Sequence, residues 1–362
     1  MKNRSRTLLT WIAVLAAPLV LSLVGYLVAD PFCVLHRPLY APGFPVAINR
    51  DYASTELYLN QHAEQGYDSF VFGSSRSTAF RCDDWKASMG RADARCFHFD
   101  AWKESLFGLE AKVRLVDALG SPLRDALIVV DGSLLAEVVP STEPVFRSHP
   151  RLTGQSGPAF ELDYLIDFYS NHFCLKYLDY ALTGKVRGYM GQAFNARNFT
   201  HRPVTNDEIF TAVDEKIARQ GEDYWRSHAE LFGPRTGGTA PITVLPEQRR
   251  LLSSMAEIFA RHGTRVRVVV SPLYDQIRLH PTDLGALREI FGQDNVVDFS
   301  GENPLTSDVR NYYESSHFRP PVARAILSGL YTRGAQARPR DSSQDLSQAL
   351  SPDRRQARAP GH

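Results

Sequence analysis

Two short segments that are far apart in the chain carry residue types that together suit nucleophilic catalysis by a serine. The first, residues 68–76, is an apolar run that stops at a glycine and continues with Ser74, Ser75 and Arg76. Such a run closed by glycine is typical of a buried parallel strand, and open α/β sheets bind ligands at the carboxyl ends of these strands. A serine delivered there is either a nucleophile or the N-cap of the next helix, and the segment alone leaves both interpretations open.

The second segment supplies the base that a serine nucleophile requires, since serine is a weak nucleophile near neutral pH. Glu314 and His317 follow the last predicted strand and precede the last predicted helix. In a parallel sheet this loop lies at the same carboxyl edge as Ser75. A tight turn would let the carboxylate accept the imidazole N–H, leaving the other ring nitrogen to face the serine. The alternative is a surface histidine beside a solvated glutamate.

The elements that must position these residues alternate between strands and helices. Short apolar runs predict strands at residues 68–73, 96–99, 126–132, 265–272 and 295–299, with helical patterns between most of them. This order indicates a parallel sheet with right-handed crossovers, and five strands favour a flavodoxin-like α/β three-layer sandwich.

The domain predicted from this pattern covers residues 51–333. Within it, residues 134–245 lack a strong strand signal and are expected to form a mainly helical insertion that covers one end of the sheet. Residues 334–362 contain almost no large apolar side chains, so we expect a disordered tail.

The N-terminus carries a membrane signal. Residues 7–29 form an uncharged apolar run that follows three basic residues and ends at Asp30. Its length suits the roughly 20 residues that cross a bilayer, whereas the apolar core of a signal peptide has about 7–15. The basic residues predict that residues 1–6 are cytoplasmic and that the rest of the chain lies outside. The alternative to an uncleaved anchor is a signal peptide that is cleaved after Ala29. Residues 30–50 are rich in proline, which predicts an extended connector.

Composition and cysteine usage narrow the class of protein. The 362 residues include 41 basic and 40 acidic side chains, so the charge balance does not favour nucleic acid as a partner. The 11 histidines are scattered without a metal-ligand spacing, and no metal site is predicted.

Outside the cytoplasm disulfides persist, so Cys82 and Cys96 are candidates for a bridge, with two buried thiols as the alternative. Cys33 and Cys174 are expected to be unpaired.

Together the two segments resemble the SGNH (GDSL-like) hydrolase superfamily, over roughly residues 67–331. In that family the nucleophilic serine follows the first strand, and an Asp-x-x-His block before the last helix supplies the acid and the base. The match implies Ser75 as nucleophile and places Ser74 where the family has aspartate. Glu314 and His317 take the acid and base positions, and no cofactor is implied.

The resemblance is greatest to membrane-anchored extracytoplasmic proteins of bacterial envelopes, some of which act in acyl transfer beside a membrane-bound O-acyltransferase. It implies a single-pass inner-membrane protein whose periplasmic domain acts as an esterase or O-acyltransferase on an acylated envelope polysaccharide. The alternative that it implies is a catalytically inactive module that binds a surface polymer or scaffolds such an acyltransferase.

The sequence departs from the family pattern where an oxyanion would be stabilised. The family's glycine and asparagine have no clear counterpart, since residues 100–102 follow the second predicted strand and Asp131 ends the third. An unneutralised aspartate repels an oxyanion, and loss of an oxyanion donor costs roughly a hundred- to a thousandfold in turnover. The Ser75 N–H remains as a donor. Arg76 either supplies positive charge or pairs with Asp131 and holds two loops together.

Overall fold

The computed structural model describes residues 2–40, 44–194 and 199–332, and the predicted tail at 334–362 lies outside the described residues. The chain divides into two compact units. The first comprises Met1–Ala53 and Thr142–Arg197, and the second comprises Ser54–Ser141 and Asn198–His362. Both candidate segments therefore belong to the second unit.

Helices and short strands alternate along the described residues. The helices are α1 (Lys2–Ala29), α2 (Arg50–Gln65), α3 (Cys82–Met89), α4 (Leu106–Ala118), α5 (Gly132–Ala136), α6 (Pro150–Thr153), α7 (Gly157–Tyr169), α8 (Phe173–Thr183), α9 (Thr211–Gln220), α10 (Asp223–Ser227), α11 (Pro246–His262), α12 (Pro281–Phe291), α13 (Pro304–Ser307) and α14 (Pro320–Thr332). The strands are β1 (Ser69–Gly73), β2 (Cys96–Asp100), β3 (Asp125–Val130), β4 (Thr200–His201), β5 (Glu208–Ile209), β6 (Arg265–Val270), β7 (Val296–Asp298), β8 (Tyr312–Glu314) and β9 (His317–Phe318).

A five-stranded parallel sheet forms the centre of the second unit, which confirms the predicted α/β fold. Its strand order is β2-β1-β3-β6-β7, the flavodoxin-like order. Gly73 at the end of β1 is in register with Asp100 and Val129, and Val270 is in register with Asp298. The carboxyl ends of the strands therefore meet at one edge, from which the loop after β1 leaves.

Helices cover both faces of this sheet. On one face Val71 belongs to a core cluster with Trp85 of α3 and Ile326 of α14. On the other face the ring of Tyr58 in α2 packs against Phe70 and Phe97. Burial on both sides explains why these strands are nearly continuous apolar runs and could be recognised from the sequence.

The region predicted as a helical insertion differs from the expectation in one respect. It contains the antiparallel pair β4 and β5, which are strands of two residues each and too short to show an alternating pattern. Its helices α7 and α8 are separate, because Asn171 and His172 between them adopt positive φ angles of 49° and 57°. The short helix and strand segments after residue 198 contribute directly to the candidate site.

The first unit contains the apolar N-terminal helix. The segment Thr10–Ala29 of α1 is long and apolar enough to cross a membrane, although a signal sequence has the same properties. Asp30 follows it with a fully buried carboxylate that accepts the backbone N–H groups of Val34 and Arg37 at 3.0 and 2.7 Å. These bonds fix the direction in which the chain leaves the helix.

A disulfide joins Cys82, the first residue of α3, to Cys96, the first residue of β2. The Cα atoms are 5.7 Å apart, and 14 positions separate the two cysteines. A bridge that closes a loop of this length restricts the unfolded chain and stabilises the fold by about 3 kcal/mol. It ties α3 to β2, the strand beside β1.

Replacing Cys82 and Cys96 together by serine is expected to lower the free energy of unfolding by about 2–4 kcal/mol, because the unfolded chain regains its loop entropy. Urea denaturation of the full-length protein in non-reducing buffer measures this loss. Cys174→Ser, which removes a free thiol, is the control and should leave the urea midpoint close to that of the wild type. A wild-type midpoint that does not move on reduction would contradict the prediction.

Candidate active site

Ser75 is the first residue of a 3₁₀ turn, Ser75–Ala79, which begins directly beyond β1. The end of β1 passes so close to β3 that a Cβ on Gly73 would lie 2.8 Å from the Val129 carbonyl oxygen, closer than real Cβ contacts. Glycine is therefore required at this position. Ser74 is the N-cap, and its hydroxyl accepts a backbone N–H two residues later at 3.4 Å. The two interpretations of the serines thus apply to different residues, with Ser74 capping the turn and Ser75 facing the histidine.

The acid and base candidates lie on a hairpin formed by β8 and β9, where the sequence predicted only a tight turn. Glu314 pairs with His317 across the two strands. One carboxylate oxygen forms a short hydrogen bond with His317 Nδ1, and the other accepts the Ser316 N–H at 2.6 Å. A carboxylate bonded to Nδ1 favours the tautomer whose free lone pair is on Nε2.

His317 Nε2 lies 2.8 Å from Ser75 Oγ, within hydrogen-bond reach. The histidine is buried, and the ring of Phe210 lies against it with the ring centroids 5.5 Å apart. Phe210 precedes α9 in the predicted insertion and was not anticipated as part of the site. The hydroxyl, imidazole and carboxylate follow one another in the order that moves a proton from a serine to a histidine during nucleophilic attack.

Asp131 lies at the same edge of the sheet and forms an ion pair with Arg76, with 2.6 Å between Nη1 and Oδ2. Its other carboxylate oxygen caps α5 by accepting the N–H groups of Ser133 and Leu134 at 2.9 and 3.1 Å. Burial raises the pKa of Asp131, but the charge of Arg76 and these hydrogen bonds outweigh burial and hold the pKa below its ordinary value. The carboxylate is therefore ionised and neutralised by Arg76.

Arg76 connects three loops around Ser75. Besides the ion pair, Nη1 donates to Ser133 Oγ at 3.0 Å and Nε donates to the Ser316 carbonyl oxygen at 3.4 Å. Within the part of the chain that the structure describes, Nη2 has no hydrogen-bond partner, and the side chain is 24% exposed. Of the two roles that the sequence left open for Arg76, the structure contains the loop-joining pair, and Nη2 can still face a ligand.

Backbone donors complete this edge. The Ser75 N–H stands at the start of a helical turn, where a backbone donor lacks an acceptor within the helix. The Ala101 N–H, after β2, donates to the Gly73 carbonyl oxygen at 3.3 Å and is already used. The Ser75 N–H and the Arg76 guanidinium therefore remain as candidate donors to a developing oxyanion.

Comparison of the sequence with protein-family models and with curated proteins finds no match. Among residues 2–40, 44–194 and 199–332, no group of three or more His, Cys, Asp or Glu side chains is arranged to hold a metal ion. A functional assignment therefore depends on the residues and distances at this edge of the sheet.

A second serine, a histidine and an aspartate meet at the 3₁₀ turn Ser75–Ala79, and the sequence did not indicate them. Ser77 Oγ donates to the Ser74 carbonyl oxygen at 2.7 Å and lies 2.9 Å from His98 Nε2. His98 Nδ1 lies 3.3 Å from a carboxylate oxygen of Asp207. All three residues are completely buried, so no ester can reach Ser77 and the group supports the turn. The available signal was a histidine within the otherwise apolar strand β2.

The buried carboxylate of Asp207 has two hydrogen-bond donors besides the His98 ring. The Thr205 hydroxyl donates to it at 2.7 Å and the Cys82 N–H at 3.2 Å. Burial raises the pKa of Asp207, but the hydrogen bond and charge of His98, with the Thr205 hydroxyl, outweigh burial and lower it.

Replacing His98 by glutamine is expected to lower the free energy of unfolding by about 3–5 kcal/mol, because the buried charge of Asp207 then lacks the imidazole that partners it. Urea denaturation at pH 7 measures the loss. His262→Gln is the matched control. His262 Nε2 lies 2.7 Å from Asp117, but both side chains are partly exposed, so this substitution should lower the free energy of unfolding by less than about 1 kcal/mol. Equal losses in the two variants would contradict the prediction.

The pairing of Asp207 with His98 makes the stability of the folded protein depend on pH. The pKa of Asp207 is lower in the folded protein than its ordinary value. The stabilisation by this carboxylate is therefore complete at neutral pH and is lost as the pH falls through the folded pKa.

Proposed function

We propose that this protein is a membrane-anchored serine esterase or O-acyltransferase of the SGNH type that acts on acyl esters of a cell-envelope glycan. The observation that carries the proposal is the series of contacts from Ser75 Oγ to His317 Nε2 and from His317 Nδ1 to Glu314. The positions of these residues, after β1 and before α14, add support because SGNH hydrolases carry their serine and histidine there.

The proposed reaction transfers protons through His317 in two stages. In the first stage, Nε2 takes the proton of Ser75 as Oγ forms a bond to the acyl carbon, and the carbonyl electrons move to oxygen. Collapse of this intermediate expels the alcohol, which receives the proton from Nε2, and leaves the acyl group on Ser75. In the second stage, water or a glycan hydroxyl gives its proton to Nε2 as its oxygen forms a bond to the acyl carbon. Collapse of the second intermediate breaks the bond to Ser75 Oγ, which takes the proton back from Nε2, and releases the acid or the acylated glycan. Glu314 keeps His317 in the required tautomer throughout.

Stabilisation of the oxyanion is assigned to the Ser75 N–H and to Arg76. The negative charge of Asp131 near this position would oppose an oxyanion, but the ion pair with Arg76 compensates it. In this proposal Nη2 of Arg76, which has no hydrogen-bond partner among the described residues, is free to donate to the oxyanion.

The choice of an envelope glycan follows from the proposed location of the site. Three basic residues precede the apolar segment of α1, which favours a cytoplasmic N-terminus and an extracytoplasmic main chain. The disulfide Cys82–Cys96 supports the same compartment, since disulfides persist in oxidising surroundings. A membrane-bound O-acyltransferase is the partner proposed to supply or receive the acyl group.

A second candidate function is an inactive module that binds a surface polymer or scaffolds that acyltransferase. One observation favours it: Asp131, where the third strand ends, is a carboxylate and Arg76 is occupied in neutralising it. Such a module would retain the fold and the glycan contacts but would not form an acyl-enzyme.

A serine-directed fluorophosphonate probe distinguishes the two candidates. The full-length protein in detergent is incubated with the probe, digested and analysed by mass spectrometry. We expect a covalent adduct on the peptide that contains Ser75, together with aryl acetate hydrolysis that the probe abolishes. An intact disulfide and a cooperative melt, combined with no adduct and no hydrolysis, would reject the enzyme and select the binding module.

Arg76→Gln is expected to lower kcat by about ten- to a hundredfold, because the Asp131 charge is then uncompensated near the oxyanion. Adding Asp131→Asn should recover most of this loss, since the amide keeps an oxygen to cap α5 and removes the charge. Aryl acetate kinetics of both variants measure the coupling. A double variant no faster than Arg76→Gln would contradict neutralisation as the main role of Arg76.

A further inference from the structure

Part of α7 lies beside the membrane-spanning segment of α1 in the first unit. The Tyr169 hydroxyl donates to Ser22 Oγ at 3.1 Å, and the rings of Phe168 and Tyr26 have centroids 5.1 Å apart. Ser22 precedes the end of α1 at Ala29 by seven residues, or about 10 Å at 1.5 Å per residue. The end of α7 is therefore level with the interior of the apolar segment.

The two helices run antiparallel where they touch. Phe32, beyond the end of α1, packs against Tyr164 with 5.0 Å between ring centroids, and it also stacks on Phe173 at 4.7 Å. Moving outward along α1, the partners on α7 move from Tyr169 back to Tyr164. Along α7, the Tyr169 end therefore lies deepest beside α1, and Phe173 at the start of α8 is again level with Phe32.

Both helices expose an apolar stripe at helical spacing. On α7 the exposed stripe is Leu162, Ile166 and Tyr169, and on α8 it is Leu175, Leu178 and Leu182. These side chains are between 42% and 77% exposed, and the spacing puts each set on one face of its helix. The buried faces of the same helices hold other aromatic residues, including Phe160 and Tyr164.

The surface helix α11 shows the usual pattern for a helix in contact with water. Its buried face contains Leu251 and Met255, whereas its exposed face carries Arg249, Arg250 and Glu257. A helix that is apolar on its exposed side as well as its buried side requires a different surrounding.

Two of the three acidic residues of α7 are neutralised within the protein. Asp163 and Asp167 pair with Arg147 at 3.1 and 2.6 Å, and the Arg147 side chain is only 10% exposed. The third, Glu161, is exposed beside Leu162. It lies nearer the start of α7 than Tyr164, which meets Phe32 beyond the end of α1, so its charge belongs at the level of the headgroups rather than the hydrocarbon.

We propose that the exposed faces of α7 and α8 insert into the outer leaflet beside α1, so that lipid acyl chains cover them. The exposed stripes continue the apolar surface of α1, whose own exposed residues include Leu21 and Val28. The depth of about 10 Å suits an amphipathic helix at the boundary of headgroups and acyl chains. The proposal rests on the anchoring role proposed for α1 and is independent of the catalytic chemistry.

Site-specific fluorescence in a bilayer tests the insertion. Cys174 is first replaced by serine, and single cysteines are introduced as Ile166→Cys and Leu178→Cys in the full-length protein. Cys33 is buried, and burial, followed by the charge of Asp30, raises the pKa of its thiol to about 12, so it does not react near neutral pH. Each variant is labelled with bimane and reconstituted in phosphatidylcholine–phosphatidylglycerol nanodiscs, with or without lipid that carries a nitroxide on its acyl chain.

Leu21→Cys on α1 is the positive reference, and Arg250→Cys on α11, whose side chain is 59% exposed, is the polar control. We expect nitroxide lipid to quench the probes at positions 166, 178 and 21 at least about twofold, and the probe at position 250 much less. Iodide in the aqueous phase should quench the probe at position 250 strongly and the probes at positions 166, 178 and 21 much less.

Three results would overturn the proposal, each in a different way. Quenching at position 21, with positions 166 and 178 open to iodide, would place the stripes in water. Protection of positions 166 and 178 from both quenchers would mean that protein covers them. Absence of lipid quenching at position 21 would reject the anchor itself, whereas the fluorophosphonate reaction of the same preparations reports separately on the catalytic site.

Discussion

Replacing Ser75 by alanine is expected to lower kcat for aryl acetate hydrolysis by at least about a thousandfold. The reason is that no other hydroxyl lies at hydrogen-bond distance from His317 Nε2 among the described residues, so the acyl group has no acceptor on the protein. Steady-state kinetics on the purified full-length protein measure the loss. Because residues of a catalytic unit act together, adding His317→Ala should cause little further reduction.

Ser74→Ala separates the nucleophile from its neighbour. Ser74 caps the turn through its hydroxyl, so its loss should cost about 1 kcal/mol of stability and leave most of the turnover. A Ser75→Ala variant that keeps its full activity would reject the proposed mechanism. A Ser74→Ala variant as inactive as Ser75→Ala, with unchanged stability, would move the nucleophile to position 74.

Glu314→Gln is expected to lower kcat by about a hundred- to ten-thousandfold, although it changes one atom in the side chain. The two carboxylate oxygens of Glu314 accept from His317 Nδ1 and from the Ser316 N–H. A glutamine can offer an oxygen to only one of them. If the oxygen keeps Ser316, the amide group faces Nδ1 and forces the proton onto Nε2, which then cannot take the proton of Ser75.

The control for this substitution is Glu222→Gln, which removes an exposed carboxylate paired with Arg310 at 3.2 Å. Its kcat should stay within about twofold of the wild type, as expected for an exposed pair. NMR of the His317 ring in Glu314→Gln should report the changed tautomer. An unchanged kcat in Glu314→Gln would show that His317 does not need this carboxylate.

The parts of the fold that the sequence predicted correctly are those with a local cause. Buried parallel strands must be apolar on both faces, so β1, β3 and β6 appear as short runs rich in valine, isoleucine and phenylalanine. The end of β1 was recognisable because close approach to Val129 requires glycine at position 73. Because the carboxyl ends of parallel strands lie at one edge of the sheet, the sequence also predicted the edge at which Ser75 and His317 meet.

The parts that could not be predicted depend on pairing between distant segments. The β8–β9 hairpin is formed by strands of three and two residues, which show no alternation. His98 and Asp207 are 109 positions apart, and neither belongs to a spacing pattern. The role of Arg76 depended on whether Asp131 lies within reach of its guanidinium, which is a tertiary distance.

The separation of the serine from its base also has a consequence for biogenesis. Ser75 and His317 are 242 positions apart in the chain, and the base lies on the last hairpin before α14. A polypeptide that is still being synthesised, or one shortened before β9, carries the serine without the imidazole proposed to activate it. If the chain is exported unfolded, as the proposed topology requires, the proposed hydrolytic activity would arise only after most of the protein had crossed the membrane, and cytoplasmic esters would not meet a complete site.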